Sequence, residues 1–169
     1  KGNILQYNSA LGGIDIALLD ALGKNKKIPV TNFLSPIVRE QISYSISIPF
    51  LPLQKIQDLF LQLKNFRVNH VKVLVGEIES ENIERVSFVR SLFGEHVSIR
   101  LEVNERWTFQ KAISNLEKLK KFNITAVEQP LAKDNIAGLA ALRKEINIPI
   151  IIDESMCSLD DAKTLIESE

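Results

Sequence analysis

Three apolar runs in this chain, VSIRLEVN, ITAVEQP and IPIIIDES, each close on an acid: Glu102, Glu128 and Asp153. Successive acids are 26 and then 25 residues apart, about the length of one strand, one helix and the two loops between them. That period restricts the chain to consecutive βα units, with parallel strands covered by helices. In such folds the carboxyl ends of the strands collect the chemistry. Three carboxylates converging there repel one another and lose hydration, which is unfavourable unless a cation joins them. Oxygen-only donors favour a hard ion, with Mg2+ first. Taken singly, each acid reads equally well as a helix cap or as half of an ion pair with a neighbouring strand. Three at matching positions, each after a buried run, favour the metal.

The rest of the chain carries the same alternation. A helix is expected over residues 9–22, with Ser9 as its cap, Leu11, Ile14, Leu18 and Leu22 on one face, and Gly23 as its stop. Pro29 and Pro36 bracket a loop. Period-two or continuous apolar runs predict strands over 42–48, 70–76, 97–104, 124–129 and 148–153. Helical spacing predicts helices over 53–66, 80–93, 108–122 and 135–146, with Ser80 as a cap, and Ser158 opens a last one. The expected fold is therefore α/β, a (β/α)-barrel of TIM type. Here it comprises about five consecutive βα units of a partial barrel (residues 42–169) after a leading helix and linker (residues 1–41). A doubly wound sheet is the alternative; the even spacing and the lack of a glycine-rich phosphate loop argue against it.

Composition narrows the partners. Lys plus Arg and Asp plus Glu both number 21, a formal net charge of zero, so nothing electrostatic recommends nucleic acid or an anionic membrane. A single cysteine, Cys157, excludes an intramolecular disulfide and fits a reducing compartment; a buried thiol is expected there rather than a nucleophile. No signal peptide is evident and no apolar run approaches the ~20 residues of a membrane helix, so a cytoplasmic location is expected. The chain opens on Lys1 and closes one helix after the third acid; the expectation is part of a longer protein.

Side chains on one strand face recur every two residues. Lys72 therefore shares a face with His70 and Leu74, and Glu102 with Arg100 and Asn104. The plain reading of Lys72 is an amine reaching from a strand end to solvent. The sharper reading is a base beside the acids, its pKa brought from ~10.4 towards ~7–8 by a nearby cation and partial burial. Arg100 is placed to neutralise one of the acids instead.

These residues resemble the enolase superfamily, in its muconate-lactonizing and mandelate-racemase branch, over nearly the whole chain. ALGGIDIALLDALGK resembles the helix that leads into the barrel of that branch. VKVLVG, LEVNERWT, VEQPL and IPIIIDES resemble its second to fifth strands, and VEQPL with DES at this separation is a specific pair. By position, the resemblance implies that Glu102, Glu128 and Asp153 are the Mg2+ ligands, with Asn104 and Glu154 supporting them or facing the substrate. It implies an isomerase or lyase that removes a proton α to a carboxylate, with Mg2+ holding the enolate. The partner is a small-molecule carboxylate and the full-length protein a homo-oligomer. It also implies an N-terminal capping domain and later barrel strands that these residues do not contain.

The sequence departs from the branch at two positions. The second strand usually carries Lys-x-Lys, and the second lysine is the usual base; here that position is Leu74, and only Lys72 remains. The first metal ligand is commonly Asp and here is Glu102. A leucine moves no proton, so two-base racemisation or epimerisation is disfavoured. Three explanations stand open: Lys72 serves as the base, a base on later strands suffices, or the protein is a catalytically silent metal-binding homologue. ISYSISI resembles the first barrel strand of dipeptide epimerases and N-acylamino-acid racemases.

Overall fold

The computed structural model describes residues 8–34 and 36–168, in two compact units, Lys1–Ile42 and Ser43–Glu169. The first unit holds helix α1 (Asn8–Lys26) and a 3-10 turn (Val30–Phe33). Ser9 lies inside α1 rather than capping it, and the helix runs through Gly23. Gly23 is needed for a close approach: a Cβ there would stand 2.9 Å from the carbonyl oxygen of Ile28, whose N–H donates to Gly23 O. The chain turns instead at Lys27, which is left-handed at φ 56°. Ile14, Ile16, Leu18 and Leu22 are exposed.

The second unit alternates strand and helix without exception: β1 (Ile46–Ile48), α2 (Leu53–Leu63), β2 (His70–Leu74), α3 (Glu79–Phe93), β3 (Ser98–Glu102), α4 (Phe109–Leu119), β4 (Ile124–Glu128), α5 (Ile136–Glu145), β5 (Ile150–Ile151) and α6 (Leu159–Glu167). The strands form one parallel sheet in chain order, β1-β2-β3-β4-β5, the arrangement expected of successive units of a barrel. The strands are shorter than their apolar runs, and β5 retains two residues. Ser80 does not cap α3; Ile78 precedes the helix and makes no side-chain cap. Thr108, Asn135 and Ser158 do cap α4, α5 and α6, each accepting a backbone N–H three residues on.

The two faces of the sheet decide what it does. Ile48, Val73, Leu101 and Val127 share one register row and are fully buried. They pack in one core with Ile56, Val86, Val89, Leu116 and Leu142 from the helices. Each such side chain is worth about 1.5–3 kcal/mol of burial. The other face carries Ser47, Lys72, Arg100 and Ala126 in one row, and Leu74, Glu102, Glu128 and Ile151 in the next. Polar and charged residues thus occupy the face away from the helices. A β-bulge makes this possible in β4. Ile99 pairs with Ile124 and Arg100 with Ala126, leaving Thr125 unmatched. Were β4 to continue in the register that Ile124 sets, with Thr125 opposite Arg100, Glu128 would fall opposite Val103 and face the helices.

Candidate metal centre

Glu102 and Glu128 are direct neighbours across the β3–β4 ladder, and Asp153 lies two residues beyond Ile151, the partner of Glu128. One carboxylate oxygen from each of the three lies within 4.8 Å of the other two. Glu102 and Glu128 are buried, whereas Asp153 is exposed. Lys72, one row below, donates from Nζ to Glu102 Oε2 at 2.7 Å and to Glu128 Oε1 at 3.1 Å. Arg100 Nη1 reaches Glu128 Oε2 at 3.4 Å, the neutralising contact expected of it.

The turn after β3 brings in the two remaining candidates. Asn104 and Glu105 are both left-handed, at φ 48° and 66°, which folds Asn104 back over the strand end. Its Nδ2 donates to Glu102 Oε1 at 2.9 Å and to Glu154 Oε1 at 3.1 Å, and its backbone N–H also donates to Glu102 Oε1. Glu154 Oε2 is buried and has no hydrogen-bond partner. A buried carboxylate oxygen without a donor is unfavourable. A cation beside it, or a donor from a bound molecule, would satisfy it. Three oxygen donors at this separation fit a hard divalent ion.

The titration of the cluster follows from the same contacts. Burial pushes the Glu102 carboxyl above its ordinary value, and the hydrogen bond from Lys72 only partly opposes that. Burial acts on Glu128 in the same sense, but its hydrogen bonds with Glu102 and Lys72 and the Lys72 and Arg100 charges bring it below the ordinary value. The apposed pair therefore divides its protons unequally, Glu102 taking the first. Burial acts to lower Lys72, yet its hydrogen bonds to Glu102 and Glu128 outweigh burial and hold the amine above its ordinary 10.5. Lys72 thus stands as an ammonium between the two glutamates, with Arg100 as a second cation beside Glu128.

Other side chains hold the strand-end loops without standing out in the sequence. Asn82 is buried and its amide grips Gly76 from both sides, Gly76 N at 2.7 Å and Gly76 O at 2.9 Å. Trp107 Nε1 donates to the same Gly76 O. Gln129 is fully buried at the end of β4; a long amide inside an apolar run, directly before proline, is the clue that the sequence offers. Cys157, expected to be buried, is exposed, with Sγ hydrogen-bonded to Glu154 O. It sits in the turn past β5 rather than within the packed rows.

Parallel βα units with three carboxylates gathered at adjoining strand ends define an enolase-type barrel. The chain belongs to the Enolase C-terminal domain-like family, whose sequence model matches residues 56–169. Its relatives are isomerases and lyases of the muconate-lactonizing and mandelate-racemase branch. It is 29% identical to a D-Ala-D/L-Ala epimerase of Cytophaga hutchinsonii, over 97% of this chain and 45% of the epimerase. It is also 29% identical to muconate cycloisomerase 1 of Pseudomonas putida, over 98% of this chain and 44% of that enzyme. Among solved structures, dipeptide epimerase from Enterococcus faecalis superposes with a TM-score of 0.83 at 26% identity, over 92% of this chain and 45% of that one. A dipeptide epimerase from Cytophaga hutchinsonii, complexed with Mg and the dipeptide D-Ala-L-Val, gives 0.80 at 28% identity, over 90% and 42%. The chain thus spans less than half the length of these relatives. Among the described residues, no helix is long and apolar enough to cross a membrane.

Proposed function

We propose that the chain carries the metal-binding strands of a Mg2+-dependent isomerase or lyase that removes a proton α to a carboxylate in a small-molecule substrate. One observation supports this above the others: Glu102, Glu128 and Asp153 offer oxygens within 4.8 Å of one another at the ends of three adjoining strands. These three would hold the ion. Bound there, Mg2+ supplies Lewis-acid stabilisation for the negative charge that develops as the α-proton leaves. Asn104 holds Glu102 and Glu154 in place, and Arg100 offsets part of the charge on Glu128. Lys72 Nζ is within hydrogen-bond reach of two of the acids, so a substrate seated at the acids lies near its amine. We assign Lys72 the proton-transfer role on that ground. Leu74 faces Glu102 in register and offers no second base, which favours one-base chemistry among the residues of this chain.

The test is a calorimetric Mg2+ titration of the full-length protein and of Glu128→Gln. Binding in the wild type and its loss in the variant are expected; no binding in either would refute the proposal. Leu74→Lys adds an amine beside Glu102 and is expected to raise turnover of carboxylate substrates. A protein that binds Mg2+ yet turns over nothing, with or without that lysine, would instead be a catalytically silent metal-binding homologue.

A further inference from the structure

One residue ties together the three loops that follow the acid-bearing strands, by its backbone to the turn after β3 and by its side chain to the loops after β4 and β5. Gln129 comes directly after Glu128, is fully buried, and is left-handed at φ 39°, a conformation that a non-glycine residue keeps only when its surroundings impose it. Its backbone N–H donates to Ile151 O in β5, and its carbonyl accepts from the N–H of Glu105, in the turn after β3, both at 2.9 Å. Its side chain spans to the loop after β5. Oε1 accepts from the backbone N–H groups of Asp153 at 3.0 Å and Ser155 at 3.1 Å. Nε2 donates to Ser155 Oγ at 2.7 Å and to Leu131 O at 3.0 Å, and Ser155 Oγ donates onward to Lys133 O at 2.7 Å. Both acceptor positions and both donor positions of the amide are used. Glutamate would lack the donors, and asparagine would lack the reach.

We infer that Gln129 is a positioning residue for the metal centre. It fixes the backbone of Asp153 relative to Glu128 and, through Glu105, the turn that follows Glu102. The three carboxylates then stand at ligand separation before any ion arrives. Asp153 has most need of this, because it is exposed and lies past a strand of two residues. The inference rests on the proposal that the three acids bind Mg2+. Residues that orient ligands without touching the ion typically contribute 10–100-fold in affinity.

The experiment measures Mg2+ affinity by calorimetry on folded full-length protein, and amide exchange at Asp153 and Ser155 without Mg2+. Gln129→Met keeps the length of the side chain and removes its four hydrogen bonds. It is expected to weaken Mg2+ binding by about 10–100-fold and to speed exchange at both amides. Ser155→Ala removes one hydroxyl and is expected to cost about fivefold. Arg90→Lys, at the opposite end of the sheet, is expected to melt lower yet bind Mg2+ within about twofold of wild type. Wild-type affinity in Gln129→Met, or in Ser155→Ala should the first variant fail to fold, would overturn the inference while loss of binding in Glu128→Gln leaves the metal reading standing. An equal loss in Arg90→Lys would also overturn it, reducing Gln129 to a contributor to general stability. A wild type that binds no Mg2+ would overturn both.

Discussion

Arg90→Met is expected to destabilise the protein by about 3–5 kcal/mol, near the upper end of what a single substitution does. Arg90 is buried, 5% exposed, at the end of the sheet opposite the acids. Its guanidinium donates to Phe122 O from both Nε and Nη2, to Asn123 O, and to Gly94 O and Val97 O from Nη1 at 2.7 Å each. Those carbonyls belong to the chain leaving α3 and to the segment between α4 and β4, where helix ends leave acceptors unfilled. The nearest carboxylate, Glu95, stands 4.0 Å away and is largely exposed, so it adds little. Carbonyl dipoles rather than an ion pair hold this charge. Methionine fills much of the volume but abandons those acceptors. Lysine is expected to recover only part of the loss, because an ammonium cannot match the planar fork. Thermal melts should show a drop of about 10 °C for methionine; a change under about 1 kcal/mol would contradict the account.

Lys72→Met is expected to change sign with Mg2+. Without the ion, the ammonium is the main positive charge between Glu102 and Glu128, whose side chains are 4% and 9% exposed. Removing it leaves two buried carboxyls facing each other, with Arg100 at 3.4 Å from one. Lys72 itself is 24% exposed, so the expected loss at pH 7 is about 2 kcal/mol, below that for a fully buried pair. With Mg2+ present the ion would neutralise the same oxygens, so the variant should gain more from Mg2+ than the wild type does. The pH dependence follows the shifts. Lys72 is raised, so its contribution is complete below its ordinary 10.5 and lost as pH climbs through the raised value. Glu128 is lowered, so its contribution holds above the ordinary carboxylate range and is lost as pH falls through its own. Glu102 is raised, so its ionised form costs stability at neutral pH and that cost disappears on acidification. The variant should lack the alkaline loss and show its deficit shrinking towards acid pH, as Glu102 takes up a proton. Melting curves from acid to alkaline pH, with and without Mg2+, measure all three. An equal Mg2+ gain in both proteins would show that ion and ammonium do not share the acids.

Much of this was legible because it is local. Alternation of apolar and polar residues in HVKVL and SIRLE marks which side chains face the helices, and burial follows that phase through both strands up to Glu102, which is buried on the opposite face. An acid that ends an apolar run stands out for the same reason, which is why Glu102, Glu128 and Asp153 were visible as a set. The cap at Ser158, which depends on a backbone amide three residues away, was legible for the same reason, whereas Ser9 and Ser80 fall inside their helices.

What failed to show depends on how the folded chain arranges the surroundings of each residue. Gly23 looks like a helix stop until Ile28 is seen to need the space beside it. Cys157 looks buried until its turn is seen to leave the packed rows. Lys72 looks like a lone amine at a strand end until it is found bonded to residues 30 and 56 positions away. The sequence by itself determined the order of strands and helices, the row of core side chains and the identity of the three acids, since these follow from spacing and polarity along the chain. Only the tertiary structure decided that a bulge at Thr125 turns Glu128 to the acid face, that Gln129 clamps three loops, and that an ammonium sits between two glutamates. Each of these is a contact across strands, and register and hydrogen-bond partners are set when the strands meet rather than in any one of them.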